Sequence, residues 1–186
     1  MNRSRMALFV AGVIMGSYPA FSASAPKIQD LLVSLGDDDD VTARAAQDLL
    51  LKLGPESVRP LERALSDPSF RVRRRAAEVL AALGPVARDS ASDLVGLLTD
   101  PQPDVHEAAQ KALYAIGDDA VQALMIALES TQDGVRKMAL STLSGCGPKG
   151  IPAILKRLKK DQSEIVRASA AEALQSVKNQ IGRAHV

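Results

Sequence analysis

The chain has 186 residues, 23 basic against 22 acidic side chains, one cysteine and no tryptophan. That near-neutral balance excludes the broad basic face of a nucleic-acid binder. The lone Cys146 excludes an internal disulfide, and the few aromatic residues leave the core to Leu, Val, Ile and Ala.

Residues 1–25 begin with Arg3 and Arg5 and no acid, and continue through the uncharged stretch MALFVAGVIMGSYPAF. Small residues follow: Ala20, Ser22, Ala23, Ser24 and Ala25. This order of basic, apolar and small-residue zones predicts a secretory signal peptide, cleaved after Ser22 or after Ala25. Pro26 stands directly after the second site and argues against it. The apolar run is shorter than the roughly 20 residues a spanning helix needs, and Pro19 interrupts its end, which opposes an uncleaved anchor. The protein is therefore expected to be exported, either periplasmic or secreted.

The next apolar residues, Ile28, Leu31 and Leu35, are spaced i, i+3, i+7, the stripe of a short amphipathic helix. Residues 36–40 read GDDDD. A calcium loop needs spaced oxygens and a distal Glu, so four successive acids at a helix entrance read as capping and dipole chemistry.

A long phrase then begins and recurs down the chain. Its closing glycine is a ruler: Gly54, Gly84, Gly117 and Gly147, with Lys178 at the fifth place. Twelve residues earlier stand Thr42, Val72, Val105, Val135 and Val166, and four earlier stand Leu50, Leu80, Leu113, Leu143 and Leu174. One earlier come Leu53, Leu83, Ile116, Cys146 and Val177. These offsets follow the helical period, so each phrase is read as one helix, here called type A. Seventeen residues before each ruler stand Asp37, Asp67, Asp100, Ser130 and Asp161, which read as cap residues, with Pro68 and Pro101 at the first helical position. Glycine at the exit followed by Pro55, Pro85 or Pro148 predicts a stop.

Between the phrases lies a shorter helix, type B, repeating the spacing of Ile28, Leu31 and Leu35. Its stripes are Val58, Leu61, Leu65; Ala91, Leu94, Leu98; Val121, Leu124, Leu128; and Ile151, Ile154, Leu158. The order is B, then A-B four times, then a final A, about ten short helices. One pair cannot bury both faces, but stacked pairs share a continuous core. Residues 26–179 are thus expected to form a solenoid. Residues 180–186 end IGRAHV, which matches the translation of a common sequencing-adapter string. This tail is expected to be non-native read-through, the natural frame running on. Setting both ends aside removes Arg3, Arg5 and Arg183 and leaves 20 basic against 22 acidic side chains, a net of −2.

Phrases such as DPSFRVRRRAAEVLAALGP and DPQPDVHEAAQKALYAIGD resemble HEAT repeats, most closely the short HEAT-like class first noted in phycobilisome lyases. The resemblance covers about residues 27–178. It implies an all-α fold, a right-handed α-α superhelix with A helices on the convex side and B helices lining a concave groove. It also implies that Arg73, Arg136 and Arg167, which follow the β-branched anchor, pair with acids of neighbouring repeats in a ladder. In the HEAT-like deoxyhypusine hydroxylases, His-Glu pairs at helix starts hold iron. Here only His106-Glu107 has that form, and a single pair cannot build a dinuclear site. His106 is expected to be an exposed first-turn residue.

Other chemistry is sparse. Cys146 occupies a core position and reads as an inert thiol. GPKG at residues 147–150 lacks the ending of a phosphate loop. Arg73, Arg74 and Arg75 make a small basic patch. No catalytic residue, cofactor site or metal site is expected.

One pattern stands out on the B helices. The position after the middle stripe residue reads Leu32, Glu62, Val95, Met125, Leu155, and the next reads Val33, Arg63, Gly96, Ile126, Lys156. A minimal amphipathic helix would be polar there. Val95, Met125, Ile126 and Leu155 could form an apolar docking floor, with Arg59 and Arg63 on one flank and Lys156 and Arg157 on the other. The alternative is simple packing between neighbouring B helices. The sequence thus predicts an exported, non-catalytic scaffold binding a protein or peptide. A HEAT-like lyase or lyase subunit, and a spacer within a larger exported protein, are the alternatives. Nucleic acid is not an expected partner, nor is a membrane beyond the signal peptide, and oligomeric state is not legible.

Overall fold

The structure, a computed structural model, describes residues 26–184. The signal-peptide reading falls on residues outside them. Among the described residues there are ten α-helices and no strand. The B helices are α1 (Ile28–Leu35), α3 (Pro55–Ala64), α5 (Ala91–Gly96), α7 (Asp118–Ala127) and α9 (Ile151–Lys160). The A helices are α2 (Asp40–Leu53), α4 (Phe70–Leu83), α6 (Pro103–Ile116), α8 (Asp133–Gly145) and α10 (Glu164–Ala184). The B, A-B order is as the repeat predicts.

Each A helix packs against the next A helix, and the B side stacks in parallel, α1 on α3 and α5 on α7. The result is an all-α solenoid with one continuous core. Leu50, Leu80, Leu113 and Leu143 are fully buried, as are Leu61, Leu94, Leu124 and Ile154 at the centre of the B stripes. The unit boundaries follow from backbone chemistry. Gly54, Gly84, Gly117 and Gly147 have φ of 60°, 59°, 77° and 89°. At Gly84 ψ is −130°, outside the left-handed helical well and in territory that only glycine enters cheaply. Lys178 cannot do this, and α10 runs past it to Ala184.

The unit after Gly84 carries three extra residues, and it absorbs them locally. Residues Gly84–Ser90 form a 3-10 segment before α5, and Leu97–Thr99 form another after it. Three residues make one 3-10 turn, so an insertion of that length leaves Ala91, Leu94 and Leu98 on the buried face.

The helix entrances differ from expectation. Asp37, Asp67, Asp100, Ser130 and Asp161 are not N-caps; each stands two residues before one. Their side chains accept from the N–H two residues on: Asp39 at 3.0 Å, Ser69 at 2.8 Å, Gln102 at 2.9 Å, Gln132 at 3.2 Å and Ser163 at 3.1 Å. These are Asx and Ser turns that aim the chain into each A helix. Pro68 and Pro101 lie inside the turns. The cap proper at α2 is Asp39, which accepts from Val41 N at 3.3 Å and Thr42 N at 3.2 Å.

An arginine ladder fixes the units in register. Arg73 on α4 donates from Nε and Nη2 to Asp100 of the next turn at 2.8 and 3.1 Å, and from Nη1 to the Asp67 carbonyl of its own turn at 2.8 Å. Arg136 on α8 repeats this with Asp161 at 3.0 and 2.9 Å and the Ser130 carbonyl at 2.8 Å. Both acids are nearly buried. Burial pushes their pKa values up, but the arginine hydrogen bonds and the turn N–H outweigh it, and both lie below the ordinary carboxylate value. Arg157 adds a contact to Asp161 at 3.6 Å.

The first A helix has Ala43 where the ladder arginine belongs. Arg75 of the next helix fills in: its Nη1 donates to the carbonyls of Leu35 at 2.7 Å and Asp37 at 2.8 Å, and its Nη2 to Asp40 at 2.8 Å. The basic patch at residues 73–75 therefore does not exist as a free surface. Arg73 and Arg75 are bound as described, and Arg74 pairs with Glu78 at 3.3 Å. The acids of GDDDD are likewise engaged, Asp38 with Arg71 at 3.0 Å and Asp40 with Arg75.

Candidate functional site

The candidate surface is the outward side of the B helices, set by the same stripe that buries Leu94, Leu124 and Ile154. A residue one place past the buried centre turns roughly 100° away from the core, and the next turns further. Met125 and Leu155 accordingly stand 38% exposed and Ile126 66%. These are large apolar side chains in water on two neighbouring helices. Val95 differs: it is half-buried and packs against the core. Of the four floor residues, three are open and one is packing.

The helices carrying the open three are tied together at both ends. Lys149 pairs with Asp118 at one end. At the other, Glu129 at the end of α7 accepts from Lys156 at 3.1 Å and also pairs with Arg157. The two hydrogen bonds, Arg157 first and then Lys156, draw the Glu129 carboxyl down to about 2. Lys156 thus reaches the rim already paired. Arg157 belongs to the structural network with Asp161.

Arg59 and Arg63 are exposed on α3 and form no ion pair among the described residues. Arg63 lines a shallow hollow between α1 and α3 with Ile28, Leu32, Val33 and Pro60. Val33 there is 65% exposed. The sequence series contains Leu32 and Val33, but their link to Arg63 depends on the packing of α1 against α3. Glu62 is half-buried and accepts from Ser90 at 3.1 Å, so it ties α3 to the 3-10 segment.

The remaining candidates are structural. His106 is half-buried, not exposed, and its Nδ1 has no hydrogen-bond partner among the described residues. Cys146 is half-buried against the core, and burial first, then the charge of Asp118, pushes its thiol up to about 11. Among the described residues no three His, Cys, Asp or Glu side chains converge as a metal cage would require, and no helix is long and apolar enough to cross a membrane. This side of α7 and α9 thus has exposed apolar residues with charged pairs at its edge.

Comparison with known proteins agrees with the architecture. Three overlapping stretches, residues 25–114, 61–144 and 96–175, match the family of HEAT repeats. The chain is 29% identical to the uncharacterized phycocyanin operon protein Z of Pseudanabaena tenuis, over 81% of this chain and 79% of that one. Its fold is similar to a chain in the complex of CpcE and CpcF of phycocyanin lyase from Nostoc sp. PCC7120, with a TM-score of 0.50 and 24% identity over 79% of this chain and 97% of that one.

Proposed function

Because the chain belongs to the HEAT-repeat family, we propose that it is an exported, non-catalytic scaffold that holds a protein or peptide on its B-helix face. The observation that carries this reading is the exposure of Met125, Ile126 and Leu155 on successive B helices, with the charged pairs Lys149–Asp118 and Lys156–Glu129 beside them. An exposed apolar group with a charged edge is the anatomy of a docking surface, and methionine adapts its shape to a partner. Val95 lends support from beneath, and Lys156, with Arg59 and Arg63 further along the face, sets orientation.

The test is a pull-down with the chain from residue 26 onward, against the secreted or periplasmic fraction of its source. A partner retained by the wild type and lost with Met125→Asp/Ile126→Asp supports the reading. A partner bound equally by both forms, or bound by neither, overturns it.

A second reading is favoured by the relatives: a subunit of a lyase assembly acting on phycocyanin. The structural neighbour is one chain of a CpcE–CpcF complex, and in an assembly of that kind the B face of this chain would meet a partner subunit or phycocyanin. Co-purification with phycocyanin, abolished by the same double substitution, would favour this reading. A signal peptide removed on export in the native host would oppose it.

A further inference from the structure

The stack is not equally tight along its length. Helices α4 and α6 run in close backbone contact, as do α8 and α10, whereas α6 and α8 approach each other far less. In a solenoid each unit meets only its neighbours, so the weakest interface is where the array bends. The two close joints are the two that carry a rung of the ladder. Arg73 of α4 grips Asp100 in the turn before α6, and Arg136 of α8 grips Asp161 in the turn before α10.

The joint between α6 and α8 lacks both halves of its rung. The ladder position on α6 is His106, and the turn before α8 has Ser130 in place of the aspartate. Among the described residues no side-chain hydrogen bond joins them. The Ser130 hydroxyl accepts from the Gln132 N–H within its own turn, and His106 Nδ1 has no partner. The α2–α4 joint also lacks a rung, but there α4 reaches back by other means. Arg75 binds the Leu35 and Asp37 carbonyls and Asp40, Arg71 binds Asp38, and Glu78 accepts from Gln47. Among the described residues α8 makes no comparable reach toward α6.

What does cross the α6–α8 joint sits at its middle and its far end. Gln110 of α6 donates to the Thr142 hydroxyl of α8 at 3.2 Å. The Tyr114 ring lies so close over Gly145, at the end of α8, that a Cβ there would run into it. On the B side the links are Lys149 with Asp118, and Glu129 with Lys156 and Arg157. Exposed pairs of this kind contribute little and fade with salt. The joint is closed at its Tyr114–Gly145 end and unlatched at its His106–Ser130 end.

We infer that the solenoid flexes as two blocks, one ending with α6 and α7 and the other beginning with α8, about a hinge at the Tyr114–Gly145 contact. Arginine–aspartate rungs lock the neighbouring joints, and their absence at residues 106 and 130 leaves this one free to open and close. Helices α7 and α9 stand on opposite sides of it, so its movement alters the gap between Met125 and Ile126 on one and Leu155 on the other. The hinge is a property of the free chain, whatever that face binds.

Asp48, Lys111 and Glu172 are exposed and occupy one repeat position on α2, α6 and α10, six residues before the ruler. Nitroxides on cysteines placed at Lys111 and Glu172 span the hinge, and a pair at Asp48 and Lys111 spans the same number of helices without it. Cys146→Ala keeps the native thiol from being labelled. Pulsed double electron–electron resonance on the frozen full chain then reads the spread of each distance. The hinge-spanning distribution should be roughly twofold wider than the other. His106→Arg with Ser130→Asp restores the rung and should bring the two widths together, whereas either substitution alone should not. Equal widths in the unaltered chain overturn the proposal, and so does a double variant of unchanged helicity by circular dichroism that leaves the wider distribution as it was. Should the double variant lose helicity, Glu129→Gln decides. It removes exposed links across the joint, and it should widen the hinge-spanning distribution alone; an unchanged width overturns the proposal.

Discussion

Substituting Arg136 by Ala tests what holds the solenoid in register. The guanidinium donates two hydrogen bonds to Asp161, one to the Ser130 carbonyl and one to Asp133. The Asp161 side chain is only 2% exposed. Removing one partner of a buried ion pair costs roughly 3–5 kcal/mol, because a charge is left without its counterpart. Asp161 would keep the Ser163 N–H and the Arg157 contact, which places the cost near the lower end, about 3 kcal/mol. For a chain of this size that is a fall of about 6–12 °C in Tm. Urea unfolding followed at 222 nm measures it, with Lys111→Ala as the control. Lys111 makes an exposed pair with Glu107, and its loss should leave stability unchanged. Asp161 has a lowered pKa in the folded chain, so its contribution is complete above the unfolded carboxylate value and is lost as pH falls through the folded value. The gap between wild type and Arg136→Ala should therefore narrow on acidification. Arg136→Met combined with Asp161→Asn should recover much of the loss. The reasoning is refuted if Arg136→Ala behaves like the Lys111 control, or if the gap widens in acid.

Leu94→Asp places a charge in a fully buried site and should unfold the array, whereas Met125→Asp/Ile126→Asp should retain wild-type helicity by circular dichroism. Equal loss in both would assign Met125 and Ile126 to the core. The Cys146 thiol, pushed up to about 11, should alkylate at pH 8 roughly a hundredfold more slowly in the native chain than in urea; comparable rates would place it in free contact with solvent. Gly84→Ala, where the new Cβ meets only an ordinary 3.5 Å contact but φ is +59°, should cost about 1–3 kcal/mol through backbone strain alone. Gly134→Ala, on α8 in open space, should instead stabilise by a few tenths to about 1 kcal/mol, and thermal melts of the two should shift in opposite directions.

The helices were legible because the 3.6-residue period and the ruler glycines leave one solution: Leu50, Leu80, Leu113 and Leu143 are buried where their spacing says. The turn acids were misplaced by two residues because an Asp before a helix looks the same whether it caps the helix or the turn. The residues two places on, Asp39, Ser69, Gln102, Gln132 and Ser163, are all polar and were the available signal. Arg75 was not legible, since it stands outside the recurring anchor position and its acceptors lie on the preceding unit. On the candidate surface, Met125, Ile126 and Leu155 are open as their offsets suggest. Val95 shares the offset of Met125 and Leu155 but is half-buried against the core. Periodicity along one helix carries no information about how closely its neighbour lies.

The substitution of Arg75 for the missing arginine at Ala43 bears on how this chain can be dissected. Arg73, Arg136 and Arg167 each anchor the turn before their own helix, and the Asp100 turn is held by Arg73 of the unit before it. The first turn is anchored from the unit that follows. A fragment ending after α3 would leave the carbonyls of Leu35 and Asp37 and the carboxylate of Asp40 without their donor. A chimera that exchanged α4 for a unit lacking Arg75 would do the same at a distance from its own splice. An N-terminal piece that keeps its first turn anchored therefore includes α4, and the later units too are tied to their neighbours through their turns.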